Sequence, residues 1–157
     1  MAPHPPLAIY LQDHLAGSTA GVNLVRRFAK AHAGTEAGRT LAEVGAEIEA
    51  DRETLLRLMA DLGIEGSRLK NAAAWATERL ARLKPNGRLA GESAYQGLHE
   101  LEGLVLGITG KLALWEALRS VPEVRTSVDL DVLEERARSQ RERVEKERLA
   151  FARAALA

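Results

Sequence analysis

The stretch from Glu92 to Arg119 constrains this chain most. Its large apolar residues fall at Leu98, Leu101, Val105, Ile108, Leu112 and Trp115. Steps of three and four residues keep one side chain per turn on one face of an α-helix, the seam of a helical bundle. Glu102 stands beside that seam. Glycines at 97, 103, 107 and 110 lie in the same helix. Each costs up to roughly 1 kcal/mol against alanine in a helix interior. Glycine in so regular a pattern predicts close backbone approach to a neighbour, with the other helices arranged around this one.

Composition supports the same reading. Aromatic residues make up only 4 % of the 157 residues, while apolar residues reach 46 %. Ala, Leu and Val must therefore fill the core, which favours helices over a sheet rich in aromatic and β-branched side chains. The formal net charge is zero, without the basic excess usual for binders of nucleic acid or anionic membranes. There is no cysteine, hence no disulfide, thiolate nucleophile or thiolate metal site. The start, MAPHPPLAIYLQDH, has no basic leader, and no run reaches the ~18 apolar residues of a membrane span. A soluble, cytoplasmic protein is expected.

Five helices are expected along one domain covering residues 1–157. The first, about 6–32, has Pro6 in its opening turn, where a missing N–H is harmless. Its row runs Leu7, Leu11, His14, Ser18, Gly21, Val25 and Phe28. Gly17 and Gly21 are spaced like Gly103 and Gly107, so two small faces could bring these helices close. Residues 33–39 read as a loop. Thr40 with Glu43 three residues on forms a capping box, opening a helix over about 40–62 that stops at Gly63. Asp51 is the odd member of its apolar stripe. Ser67 can cap a shorter helix, about 67–83, with Trp75 on its flank. Pro85 and Asn86-Gly87 mark a turn before the helix over 92–119. After a loop containing Pro122, Ser127 or Asp129 caps the last helix, about 129–156. Its row includes Gln140 and Glu147, and it is laced with i,i+4 pairs such as Glu134–Arg138 and Glu142–Lys146. No stretch reads as a strand.

If the short helix is a return crossover, the helix after it runs parallel to the one before it. In helix count, length and order the chain then resembles the ferritin-like four-helix superfamily. The alternative is five helices in simple up-and-down order. The resemblance implies a possible di-metal centre, built from a Glu on two helices and a Glu-x-x-His on the other two. No Glu-x-x-His occurs here; His99 and Glu102 stand in the reverse order. The family's ligand set does not carry over intact.

Placing the helix starts level at each end brings Asp51, Glu102 and Glu147 to one height, near Ser18 and Gly21. Three carboxylates in one layer repel unless a cation, a proton or an arginine neutralises them. A divalent ion such as iron, manganese or zinc is one such cation, with His14 as a nitrogen ligand. The competing reading is structural. Asp51 leans to solvent beside Arg52, Glu147 pairs with Arg143, Glu102 bridges to a neighbouring helix, and His14 is a hydrogen-bonded core histidine. Residues 40–63 superficially suggest a helix-turn-helix, but the turn would fall near Glu49, in a good helix former. No nucleophile-elbow, P-loop or dinucleotide motif is present. Ser18 four residues after His14 is explained by a hydroxyl bonding back along its own helix.

The expectation is therefore an all-α bundle of four long helices plus one shorter connecting helix, ferritin-like in topology. Its expected role is non-enzymatic, as an interaction or structural module that forms a homo-oligomer, a dimer by base rate. A carboxylate metal site at His14, Asp51, Glu102 and Glu147 is the alternative. Membrane and nucleic-acid partners are not expected.

Overall fold

The computed structural model describes residues 4–65, 90–124 and 126–157. The described residues form four long helices and no strand: α1 (Pro5–Ala31), α2 (Glu36–Asp61), α3 (Ala90–Arg119) and α4 (Leu130–Leu156). The helix expected over 67–83, with its Ser67 cap and Trp75, lies outside the described residues. So does the turn at Pro85 to Gly87. No helix is long and apolar enough to cross a membrane among the described residues.

Local chemistry sets the helix ends. α1 opens with proline in its first turn. Between α1 and α2 the expectation needs correction. The cap is Thr35, not Thr40: the Thr35 hydroxyl accepts from the Gly38 N–H at 3.0 Å and donates to the His32 carbonyl at 2.7 Å. Thr40 and Glu43 are ordinary residues inside α2. α2 ends at Gly63, whose φ of +68° suits glycine. Gly63 N–H donates to the Ala60 carbonyl at 3.0 Å and Ile64 N–H to the Met59 carbonyl at 2.8 Å. Ile64 is buried with Met59 beneath this turn, the apolar contact that accompanies a Schellman motif. Asp129 caps α4 by accepting from Val132 N–H at 3.1 Å. Ser127 instead donates to Asp61 at 2.9 Å.

α1 packs on α2, and α3 packs on α4. α1 also touches α3, and α2 touches α4, so the helices stand at the corners of a square in the order α1, α2, α4, α3. Contacts fix their directions. Arg27 meets Glu100 while Leu15 shares a cluster with Trp115, so α3 is antiparallel to α1. Lys146 meets Glu36 while Arg136 meets Asp51, so α4 is antiparallel to α2. α2 and α3 consequently run the same way. The chain leaves α2 beside the start of α1, where Gln12 donates to the Glu65 carbonyl at 3.1 Å. It enters α3 at the opposite end of the bundle.

The seam of α3 is the centre of the core. Leu98, Leu101, Ile108, Leu112 and Trp115 are all buried. One apolar cluster joins Phe28, Leu41, Val44, Leu101, Ile108 and Val144. A second joins Leu11, Leu15, Leu58, Leu114, Trp115 and Leu133 at the other end. Only some glycines serve close packing. Gly97 lies under the Phe151 ring, and Gly45 faces Val25, where an added Cβ would stand 3.2 Å from a methyl. Gly17, Gly21, Gly107 and Gly110 have no such neighbour within 4 Å among the described residues. The expected glycine-on-glycine approach of α1 and α3 is therefore not formed.

Candidate functional site: a buried layer of charge

Polar side chains meet inside the bundle between the two apolar clusters. Asp51 projects inward from α2, at a position its apolar stripe would give to a leucine, and is 1 % exposed. Lys111 reaches it from α3: its Nζ lies 2.6 Å from Asp51 Oδ2. Arg136 of α4 engages the other oxygen, Oδ1. Gln140, fully buried on α4, ties the layer together. Its amide donates to Asp51 Oδ2 and to Glu47 Oε2, both at 3.1 Å, while its carbonyl accepts from Lys111. Arg143 completes the set with a 2.5 Å bond to Glu47. On the α1 side, the Ser18 and Thr19 hydroxyls bond back to the Leu15 carbonyl at 2.6 and 3.1 Å. Arg52 donates to Thr19 at 3.2 Å.

The electrostatics follow from burial. Desolvation pushes the Lys111 ammonium below its ordinary pKa, and Arg136 adds to this, while Asp51 and Glu47 pull it back up. Burial alone would raise the Glu47 carboxyl; bonds from Arg143 and Gln140, with the charges of Arg143 and Arg136, outweigh it and leave Glu47 below the usual 4.5. His14, stacked edge-on against Tyr10 at 4.6 Å, is lowered by burial and partly restored by Asp13.

These shifts give a signed pH dependence. For His14 the unfolded chain holds its proton up to about 6.5, the folded chain only to a lower pH. Stability is therefore lost as pH falls through that interval. Glu47 contributes stability above about 4.5 that is lost as pH falls through its lower folded value. The urea midpoint is expected to fall in two stages on acidification. His14→Gln should flatten the upper stage and Glu47→Gln the lower. Profiles identical to wild type for both variants would refute this assignment.

The structure separates the four residues singled out from the sequence. Asp51 does not lean to solvent beside Arg52; it is buried in the ion-pair layer. Glu102 is half-exposed on α3, with His99 Nδ1 at 3.4 Å and Arg148 of α4 at 3.6 Å. Glu147 is buried on α4, and Arg143 turns from it to Glu47. His14 packs against Tyr10 on α1. Levelling the helix starts misplaced them because α3 overhangs α2. Asp51 lies 15 residues into α2 and its partner Lys111 lies 21 residues into α3. The offset is about six residues, roughly 9 Å. Glu102, which pairs with Arg148, and Glu147 thus sit toward the start of α3, away from Asp51.

The donors at Asp51 do not fit a divalent ion, since both carboxylate oxygens are engaged by protein cations. No group of three His, Asp or Glu side chains is placed to hold one among the described residues. Two further interior carboxylates are matched in the same way, whereas Glu147 forms no ion pair among the described residues. Glu134 lies 2.9 Å from Arg119 and 3.0 Å from Arg138, and Glu100 lies 3.1 Å from Arg27. Sequence reasoning missed Lys111 and Arg136. Each sits one position beside an apolar row, and its long stem lets the charge turn inward. Gln140 was visible as a polar member of the α4 row, without a role. α2 runs unbroken through Glu49, where a helix-turn-helix would need its turn. Compared with known proteins, the chain matches no protein-family model, no curated protein and no solved structure.

Proposed function

We propose that this protein is a non-enzymatic interaction module: a helical bundle of ferritin-like topology in which ion pairs replace a di-metal centre. The observation that carries the reading is the closed charge layer. Asp51, buried in the bundle, has Lys111 and the Gln140 amide on one oxygen and the Arg136 guanidinium beside the other, so protein cations already neutralise it. The parallel run of α2 and α3 supports the topology, because it requires one lengthwise crossover. The chemistry of the interior is spent on holding four helices in register. What remains for function is the surface, where Leu106, Tyr95 and Val132 are exposed.

Elemental analysis of protein purified without chelator or affinity-tag metal tests this, together with thermal melts with and without EDTA. No stoichiometric metal and superimposable melts are expected. Stoichiometric iron, manganese or zinc with an EDTA-sensitive melt would overturn the reading.

A further inference from the structure

The bundle is two helix pairs laid against each other. The tight turn at Thr35 sets α2 against α1, and a short loop returns α3 to α4. No short link joins one pair to the other, since α2 ends and α3 begins at opposite ends of the bundle. The register between the pairs therefore rests on side chains. Their apolar rows repeat every heptad: Leu41, Ile48 and Leu55 on α2, Leu101, Ile108 and Trp115 on α3. Sliding one pair over the other by a heptad sets apolar residue against apolar residue again, so the rows alone discriminate weakly between registers.

The polar layer breaks that repeat. A heptad step from Asp51 gives Val44 or Leu58, and one from Lys111 gives Leu104 or Leu118, all four buried and apolar. Asp51 belongs to one pair, while Lys111, Arg136 and Gln140 all belong to the other. Moving α3–α4 one heptad toward the start of α2 sets Asp51 against Leu118 and Leu133, and Lys111 against Val44. Moving it toward the end of α2 sets Asp51 against Leu104 and a second carboxylate, Glu147. That residue stands one heptad from Gln140, is buried, and forms no ion pair among the described residues. Either slide strands desolvated charge, a far larger penalty than a leucine out of place.

We propose that the charge layer is a register lock between the two helix pairs, with Glu147 as the block against sliding toward the end of α2. The lock rests on the closed layer and needs no surface partner. It acts by penalising the shifted bundles rather than by stabilising the observed one. A buried ion pair gains little net energy over apolar residues of similar size, whereas a single buried polar position is enough to fix register between paired helices. This accounts for charge at core positions that leucine would fill. It also gives Glu147 a part, in the register that is excluded.

The distance between two spin labels on the full chain, read by pulsed electron resonance, tests the proposal. The chain has no cysteine, so Ala42→Cys and Ala113→Cys, at exposed positions of α2 and α3, place the labels uniquely. With the layer intact, one distance is expected. With Asp51→Leu, Lys111→Met, Arg136→Met and Gln140→Leu added, a second population of about a tenth of the molecules or more should appear. It should be displaced by one heptad, about 10 Å along the bundle. The new distance should be the shorter one, because the opposite slide would carry the Glu147 carboxylate into the now apolar centre. Adding Glu147→Leu should bring in a longer distance as well. A single unchanged distance in both layer-free variants overturns the lock. So does a chain that no longer folds without the layer, since the layer would then act on stability rather than on register. A longer distance appearing while Glu147 is intact overturns its part as the block. None of these results alters the metal analysis, so the lock and the non-enzymatic reading fail separately.

Discussion

Asp51→Ala is expected to cost about 3–5 kcal/mol of folding stability, the loss typical of one partner removed from a buried ion pair. Against a total of about 5–15 kcal/mol for a domain, this is about a fifth of the reserve or more. The size comes from what is left behind. Lys111 would keep only the Gln140 carbonyl, Arg136 would lose its carboxylate, and the Gln140 amide would lose one of two acceptors. Lys111→Met should cost less, about 1–3 kcal/mol, because Asp51 then retains Arg136 and Gln140. Removing the polar layer as a unit, with Asp51→Leu, Lys111→Met, Arg136→Met and Gln140→Leu combined, should be neutral or stabilising, since no desolvated charge is stranded. Urea midpoints at constant m-value measure all three. A loss below about 1 kcal/mol for Asp51→Ala, the range of an exposed pair, would show that the carboxylate is not in a desolvated layer.

The ordering of these variants bears on what sequence could reveal. The helices themselves were legible, because apolar spacing records which face is buried. α1, α3 and α4 begin and end within two residues of the expected limits. Asp51 was legible as an anomaly, since a carboxylate on an apolar stripe must be either neutralised or misassigned. Its partners were not. Periodicity gives the face of a residue but not its height relative to another helix, and the 9 Å overhang of α3 decides which groups meet. That overhang is set by how the clusters around Leu101 and Trp115 interdigitate with α1, α2 and α4, a property of shape rather than pattern. The same limit explains the metal expectation: three carboxylates share a height only if the helix starts are level. Capping was misread for a different reason. Thr40 with Glu43 satisfies the capping-box pattern, but a cap forms where the chain actually turns, and Gly34 provides that turn with a φ of +84° just before Thr35.

One substitution made at two glycines tests how that turn is held. Gly38→Ala is expected to destabilise by about 2–3 kcal/mol, whereas Gly17→Ala should stabilise by up to about 1 kcal/mol. Both glycines lie in helices, so alanine carries the same propensity gain at each. At Gly17 an added methyl meets nothing within 4 Å among the described residues. At Gly38 it would overlap the backbone carbonyl of His32. That carbonyl cannot swing aside freely, because it accepts from the Thr35 N–H at 3.1 Å and from the Thr35 hydroxyl at 2.7 Å. Moving it also disturbs the Thr35 cap on Gly38 N–H, worth about 1 kcal/mol by itself. The clash is with main chain rather than with a flexible side-chain tip, so relaxation relieves little of it. Steric cost and cap loss together exceed the propensity gain, and the sign reverses between the two sites. Thr35→Ala provides the internal check. If the tight turn is the cause, Gly38→Ala should cost less in a Thr35→Ala background than in wild type, because the His32 carbonyl is then freer to move. Additive losses would place the cost of Gly38→Ala elsewhere, and a stabilising Gly38→Ala would mean that the α1–α2 turn is not built on this contact.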